Sequence, residues 1–154
     1  MSRTAGSPVA STRVAVLRGG RVALEDVPLP PRRPGEVDVA VELAAVCGSD
    51  VHMVSGRRPT PDGTALGHEA VGRVVDVDPG TRDALGWPVG VGDRVVFGMV
   101  AACGGCDRCA RGLPMKCRQL MKYGHATVDT APHAVGMLAD VVRLTSRVTL
   151  LRAP

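Results

Sequence analysis

The chain has almost no aromatic side chains: one Phe, one Tyr and one Trp in 154 residues. The stacking platforms on which single-strand nucleic-acid binders hold bases are therefore missing. Lysine is scarce as well. Lys116 and Lys122 stand against 17 arginines, which are scattered along the chain instead of forming a stripe. The net charge of +4 carries no nucleic-acid footprint, and no nucleic-acid partner is expected. Long apolar runs are absent too. The longest, Val95 to Cys103, falls far short of the roughly 20 residues that span a bilayer. The opening M-S-R-T-A-G-S-P-V-A-S-T-R has no apolar leader core. These absences lead to the expectation of a soluble, cytoplasmic protein without a membrane partner. In that reducing setting, clustered cysteines argue for metal over disulfides.

What the chain does contain is Val, Ala and Leu, with 19 Gly and 12 Pro. Branched valine packs well on pleated strands, and Gly and Pro mark turns, so a β-rich domain is expected. Residues 1–12 are small and polar and are read as frayed. R-V-A-V-L, Gly19-Gly20 and R-V-A-L-E-D form a hairpin pattern. Further strands are read at Glu36–Leu43, at A-V-G-R-V-V-D-V-D, at V-G-D-R-V-V-F, and at M-L-A-D-V-V-R-L and R-V-T-L-L near the C-terminus. Ser49 is read as the cap of a short helix over about residues 50–55.

Four of the five cysteines, Cys103, Cys106, Cys109 and Cys117, fall in C-G-G-C-D-R-C-A-R-G-L-P-M-K-C. The C-x2-C steps let tight turns aim neighbouring thiolates at one tetrahedral Zn²⁺, and four ligands leave no open position for substrate. This lobe is read as structural; a reduced thiol cluster or a pair of disulfides is the alternative. The fifth cysteine, Cys47, lies in C-G-S-D-V-H, and G-H-E brings His68 and Glu69 twenty-one residues later. A thiolate and an imidazole from separate loops supply two of the three protein ligands of a catalytic zinc. Ser49 and His52 follow Cys47 on the same turn and offer a hydroxyl-to-imidazole proton path. Asp50 is placed to accept the free N–H of a metal-bound histidine. The plainer readings are a buried thiol at Cys47, a loop histidine at His68, a helix-dipole charge at Asp50 and a solvated His52.

In order along the chain, C-G-S-D-V-H, G-H-E-A-V-G-R-V-V, V-G-D-R-V and the four-cysteine run resemble the zinc-dependent medium-chain alcohol dehydrogenases, from about residue 13 onward. The resemblance implies a mainly β fold: a GroES-like, partly open β-barrel with short helices. It would occupy residues 13–154, with a structural zinc lobe at 98–118. It implies Cys47 and His68 as catalytic-zinc ligands, with Glu69 as a carboxylate that approaches the metal during ligand exchange. Ser49 and His52 match the proton relay, and Asp50 the support of the zinc-bound histidine. Cys103, Cys106, Cys109 and Cys117 match the ligands of a second, structural zinc. The run C-R-Q-L-M-K-Y-G-H, with the insertion before V-G-D-R-V, is similar to dehydrogenases suspected of acting in phosphonate metabolism. His125 and His133 are read as surface histidines without a role.

Two features depart from the family. A third catalytic-zinc ligand, Cys or Asp, has no candidate in the closing L-L-R-A-P. The G-x-G-x-x-G fingerprint of the Rossmann domain is also missing, since V-G-V-G-D-R lacks the third glycine and leads into a strand. The resemblance therefore implies the zinc half of an NAD(P)-dependent alcohol dehydrogenase, truncated or split. Zinc would polarise an alcohol or aldehyde, and NAD(P) would enter only with a Rossmann domain that these residues lack. A Rossmann-domain partner or a homo-oligomer is the implied assembly. The alternatives are a stand-alone, non-catalytic zinc-binding module and a thiol-redox protein using the C-x2-C pairs.

Overall fold

The structure, a computed structural model, describes residues 9–133 and 135–153. Strands β1 (Ser11–Arg18) and β2 (Arg21–Pro28) pair residue for residue around Gly19-Gly20. Both glycines take positive φ, 57° and 74°, which a two-residue hairpin turn needs and side-chain-bearing residues resist. There follow β3 (Val37–Ala44), helix α1 (Gly48–Val54), the two-residue β4 (Thr64–Ala65) and β5 (Ala70–Val77). Next come β6 (Arg94–Ala101), helix α2 (Asp107–Ala110), β7 (Met121–Lys122), β8 (Val141–Leu144) and β9 (Val148–Arg152). No described helix is long and apolar enough to cross a membrane.

Two sheets form, ordered β2-β1-β4 and β7-β6-β5-β3-β8, with β9 also pairing β6. The segment before β8 stitches them together. Ala15 N–H donates to Leu138 O at 2.9 Å and Val41 N–H to Asp140 O at 3.0 Å, so one short stretch serves both sheets. The result is the curled, partly open barrel that the family resemblance implied, built from the strands read in the sequence. Its core is built from branched residues: Val14, Val16, Val39, Val74, Val95 and Val142 lie within 1% of full burial, beside Met137 and Tyr123. Each such valine contributes about 1.5 kcal/mol or more through burial.

Two polar devices run through this core. Arg143 makes a bidentate contact with Asp38, Nε to Oδ1 at 2.7 Å and Nη2 to Oδ2 at 2.8 Å, with both side chains at most 2% exposed. Its Nη1 also reaches the Pro30 carbonyl. The buried Tyr123 hydroxyl donates to Arg143 O at 2.8 Å and accepts from Thr145 N–H at 3.0 Å. Tyr123 thereby ties the segment after β7 to β8.

The expected strands are present, and the edges need two corrections. Fraying through residue 12 gives way at Val9, which packs against Leu29 and Val141. Thr12, already in β1, exchanges hydrogen bonds with the backbone of Val141 at 2.8 Å. Residues 1–8 of that expectation lie outside the described residues. Within the expected lobe at 98–118, residues 98–101 belong to β6, and the chain returns to pair there through β7 (Ala101 with Met121). The cysteine run is therefore an excursion between two adjoining strands.

Candidate metal centres and active site

The four-cysteine lobe closes on itself. Cys103, Cys106, Cys109 and Cys117 bring their sulfurs within 4.8 Å of one another, and all four thiols are free of disulfides. Cys106 Sγ lies 3.6 Å from Cys109 Sγ and 4.0 Å from Cys117 Sγ. Tetrahedral thiolates around zinc stand about 3.8 Å apart, given Zn–S bonds of about 2.3 Å, so the donor set matches. Cys106 is the N-cap of helix α2, which places Cys109 on the helix's first turn beside it.

Electrostatics favours a cation here. Backbone N–H groups of Arg118 and Cys109 draw the Cys106 thiol down to about 6. Burial, and the hydrogen bond to Cys106, push Cys109 up to about 12. A divalent ion would make four closely spaced thiolates mutually compatible. Arg118 stands alongside, bidentate to Asp107 at 2.6 and 2.9 Å.

The second centre sits at one end of the β3–β5 pair. Register matches Ala44 with Ala70, and Ala45 N–H donates to Glu69 O at 2.9 Å. Cys47, just past β3, and His68, just before β5, therefore leave the same sheet end together. Cys47 Sγ, Ser49 Oγ and His68 Nε2 form a triangle with every side 3.1 Å. Cys47, His68 and Glu69 bring one ligand atom each within 4.8 Å. Zinc bonds of about 2.3 Å to sulfur and 2.0 Å to nitrogen would set the Cys47 and His68 donors about 3.6 Å apart. The residues fit a metal after an opening of a few tenths of an ångström.

Asp50 holds the two loops in this relation. Its Oδ2 accepts from Cys47 N–H at 3.0 Å and its Oδ1 from Gly67 N–H at 3.2 Å. The same Oδ1 lies 3.5 Å from His68 Nδ1, a buried nitrogen with no hydrogen-bond partner of its own. The carboxylate thus faces the back of the imidazole, where a small closing movement would make the bond that orients a ligating histidine. Helix α1 begins two residues earlier than expected, and its cap is Cys47, not Ser49. The Ser49 hydroxyl is freed from capping and turns to Cys47 and His68. Glu69 and His52 are exposed. No hydrogen bond joins Ser49 to His52 among the described residues; the His52 carbonyl instead accepts from Arg58 N–H at 3.1 Å.

Sequence reading missed one residue of this centre. His125 stacks on His68, with ring centroids 5.2 Å apart and an interplanar angle of 25°. The stacking depends on two glycines. Gly124 has φ +74°, and a Cβ there would lie 2.5 Å from Gly67 O and 3.0 Å from His68 Cβ. Gly67 O also accepts from Met137 N–H at 2.9 Å, while Gly124 N–H donates to Val135 O at 2.7 Å. Burial, and then the positive charge of Arg58, hold His125 below the usual histidine value. The Y-G-H tripeptide was the available signal: a glycine that permits close approach, next to a histidine. His133, also at positive φ (76°), sits on the following loop and meets Val128 O at 3.3 Å.

The model of the alcohol dehydrogenase GroES-like domain matches residues 33–154. A zinc-type alcohol dehydrogenase B from Aspergillus flavus is 32% identical over 136 residues, covering 87% of this chain and 29% of its own length. Among solved structures, an alcohol dehydrogenase from Thermotoga maritima superposes with a TM-score of 0.83 at 30% identity, covering 94% of this chain and 41% of that one. The acetophenone reductase of Geotrichum candidum, in complex with NAD, gives a TM-score of 0.74 at 27% identity, covering 97% of this chain and 42% of that one. The chain thus spans less than half the length of these relatives. None of these names refers to phosphonate chemistry.

Proposed function

The chain belongs to the alcohol dehydrogenase GroES-like domain family, and from that premise we propose that it is the substrate-polarising domain of a zinc- and NAD(P)-dependent alcohol dehydrogenase. The observation that carries this reading is the 3.1 Å triangle of Cys47 Sγ, Ser49 Oγ and His68 Nε2, with Glu69 at its edge. In this reading Cys47, His68 and Glu69 hold one zinc ion, and Cys103, Cys106, Cys109 and Cys117 hold another. When bound at the first centre, zinc supplies Lewis acidity, which makes an alcohol oxygen easier to deprotonate.

The chain's own residues do the rest. Asp50 fixes the Cys47 loop to the His68 loop through backbone N–H groups and backs the His68 imidazole. The Ser49 hydroxyl, both donor and acceptor, stands where it would take the proton leaving an alcohol. His52, exposed on the next turn of α1, is the proposed outlet to solvent. Because the two are not joined by a hydrogen bond here, that relay needs a rotamer change or the substrate's own hydroxyl to complete it.

The hydride half of the reaction belongs to a nicotinamide-binding domain. Beside the site, Leu43, Val46 and Val51 are each more than half exposed, an apolar surface that such a domain would cover. A zinc-loaded chain supplied with a nicotinamide-binding domain should reduce NAD⁺ or NADP⁺ when given a primary alcohol. Ser49→Ala should lower kcat far more than it changes KM. Absence of reduction with every alcohol and both cofactors would instead favour a zinc-stabilised module without catalysis.

A further inference from the structure

We propose that His125 is a positioning residue for His68: its ring, stacked on the His68 imidazole, keeps Nε2 turned toward Cys47 and Ser49. This deepens the reading of Cys47 and His68 as metal ligands and rests on it.

His68 lacks the tie that usually aims a ligating imidazole. Such a ring commonly donates its far N–H to a carboxylate or a carbonyl. Here the far nitrogen, Nδ1, is buried without a hydrogen-bond partner, and Asp50 Oδ1 stands off at 3.5 Å. The Asp50 oxygens accept from the Cys47 and Gly67 N–H groups instead. A histidine's second torsion is broad and roughly two-fold, so an untied ring is free to swing Nε2 away from the centre.

His125 lies against that ring, with centroids 5.2 Å apart and planes 25° from parallel. This spacing falls within the roughly 4.5–7 Å over which aromatic rings attract. A ring face there blocks the rotation that would turn Nε2 outward. The backbones that carry the pair are themselves fixed. Leu66 N–H donates to Ala15 O at 2.9 Å and Leu138 N–H to Leu66 O at 3.1 Å, holding the approach to His68. On the other segment, Tyr123 N–H donates to Met99 O at 2.9 Å, and Ala126 O accepts from Ala65 N–H at 3.0 Å, so His125 is pinned from both flanks. Gly124 lets the two segments touch, which leaves the side-chain torsions as the freedom to be removed.

His125 is not a further metal ligand in this arrangement. Nearly parallel rings aim their lone pairs side by side, whereas the ligands of one ion converge. The ligand atoms that do gather belong to Cys47, His68 and Glu69. What His125 contributes is a ring face.

The test compares the native chain with His125→Ala, which removes the ring, and with His125→Phe, which keeps a face without the nitrogens. The first readout needs no metal: the order of the His68 ring, from NMR relaxation of its ring carbons. The second is Co²⁺ titrated into the chain with zinc in its cysteine lobe, followed by visible absorption, with Cys47→Ala as the blank. His125→Ala should leave the His68 ring mobile and weaken Co²⁺ binding by about tenfold or more, the usual effect of losing the group that orients a ligating histidine. His125→Phe should restore both. Lobe zinc and Tm of the variants show that the fold is kept. A His68 ring equally ordered in His125→Ala, with Co²⁺ held as tightly as by the native chain, would overturn the proposal. So would a folded His125→Phe variant that behaves as His125→Ala does, because stacking would then not be what holds the ring. A native chain that orders His68 through His125 but takes up no Co²⁺ at Cys47 would support the positioning and sink the metal-centre reading, so the two fail separately.

Discussion

Replacing Gly124 by alanine probes the contact that sets His68 in position. Two costs follow from the structure. An alanine at φ +74° is held in the left-handed region, at about 1–2 kcal/mol. Its Cβ would also lie 2.5 Å from Gly67 O, 2.7 Å from Gly67 C and 3.0 Å from His68 Cβ. Backbone cannot step aside as a side chain can, so relieving that overlap costs about 1–3 kcal/mol more. Gly20 provides the control. It has the same φ of +74°, but nothing lies within 4 Å of its would-be Cβ, so Gly20→Ala carries only the first cost. For a domain of this size, Gly124→Ala should therefore lower Tm by about 3–10 °C more than Gly20→Ala does. Differential scanning calorimetry of the two variants measures the difference. Zinc analysis adds a local readout, since displacement of the His68 loop should weaken the Cys47–His68 site while the cysteine lobe keeps its metal. Equal Tm losses in the two variants, with zinc content unchanged, would refute the reasoning.

Other expectations follow from the core and the surface. Asp38→Asn leaves Arg143 charged and buried without its carboxylate, so it should cost about 3–5 kcal/mol in chemical denaturation, and Asp38→Leu with Arg143→Met should recover much of that. Tyr123→Phe removes the partner of both Thr145 N–H and Arg143 O and should cost about 1–3 kcal/mol, while loosening the turn that carries His125 in hydrogen exchange. Asp78 is held below the ordinary 3.8 by Arg32 and the Gly35 N–H. A depressed carboxylate adds stability that is present above its unfolded value and is lost as pH falls through the folded one. Asp78→Asn should therefore flatten the loss of Tm below about pH 4 and leave less to lose there than the native chain has.

Much of the barrel was legible because strand alternation and Gly- and Pro-marked turns are local signals. The β1–β2 hairpin and the strands at β3, β5, β6, β8 and β9 came from short stretches read alone. Strands β4 and β7 have only two residues each; their pairing is set by partners far away in sequence, so no period could reveal them. The cysteine lobe was legible for the same local reason, its four ligands lying in fifteen residues. Cys47 and His68 were legible as types, yet their meeting depends on the β3–β5 register, a long-range fact. The cap was misjudged because serine is the commoner capping residue, whereas here the Cys47 sulfur takes that place and releases Ser49. His125 was missed because its relation to His68 runs through a Gly67–Gly124 contact between segments 57 residues apart, leaving no trace in spacing.

The account rests on two independent metal centres in one domain. The direct measurement is zinc per chain, by elemental analysis, in the native protein and in the Cys47→Ala and Cys109→Ala variants. Two zinc ions in the native chain and one in each variant is the predicted result, with the barrel of Cys47→Ala still folded. A native chain with a single zinc that Cys47→Ala leaves in place, or loss of both ions from that one substitution, would contradict it.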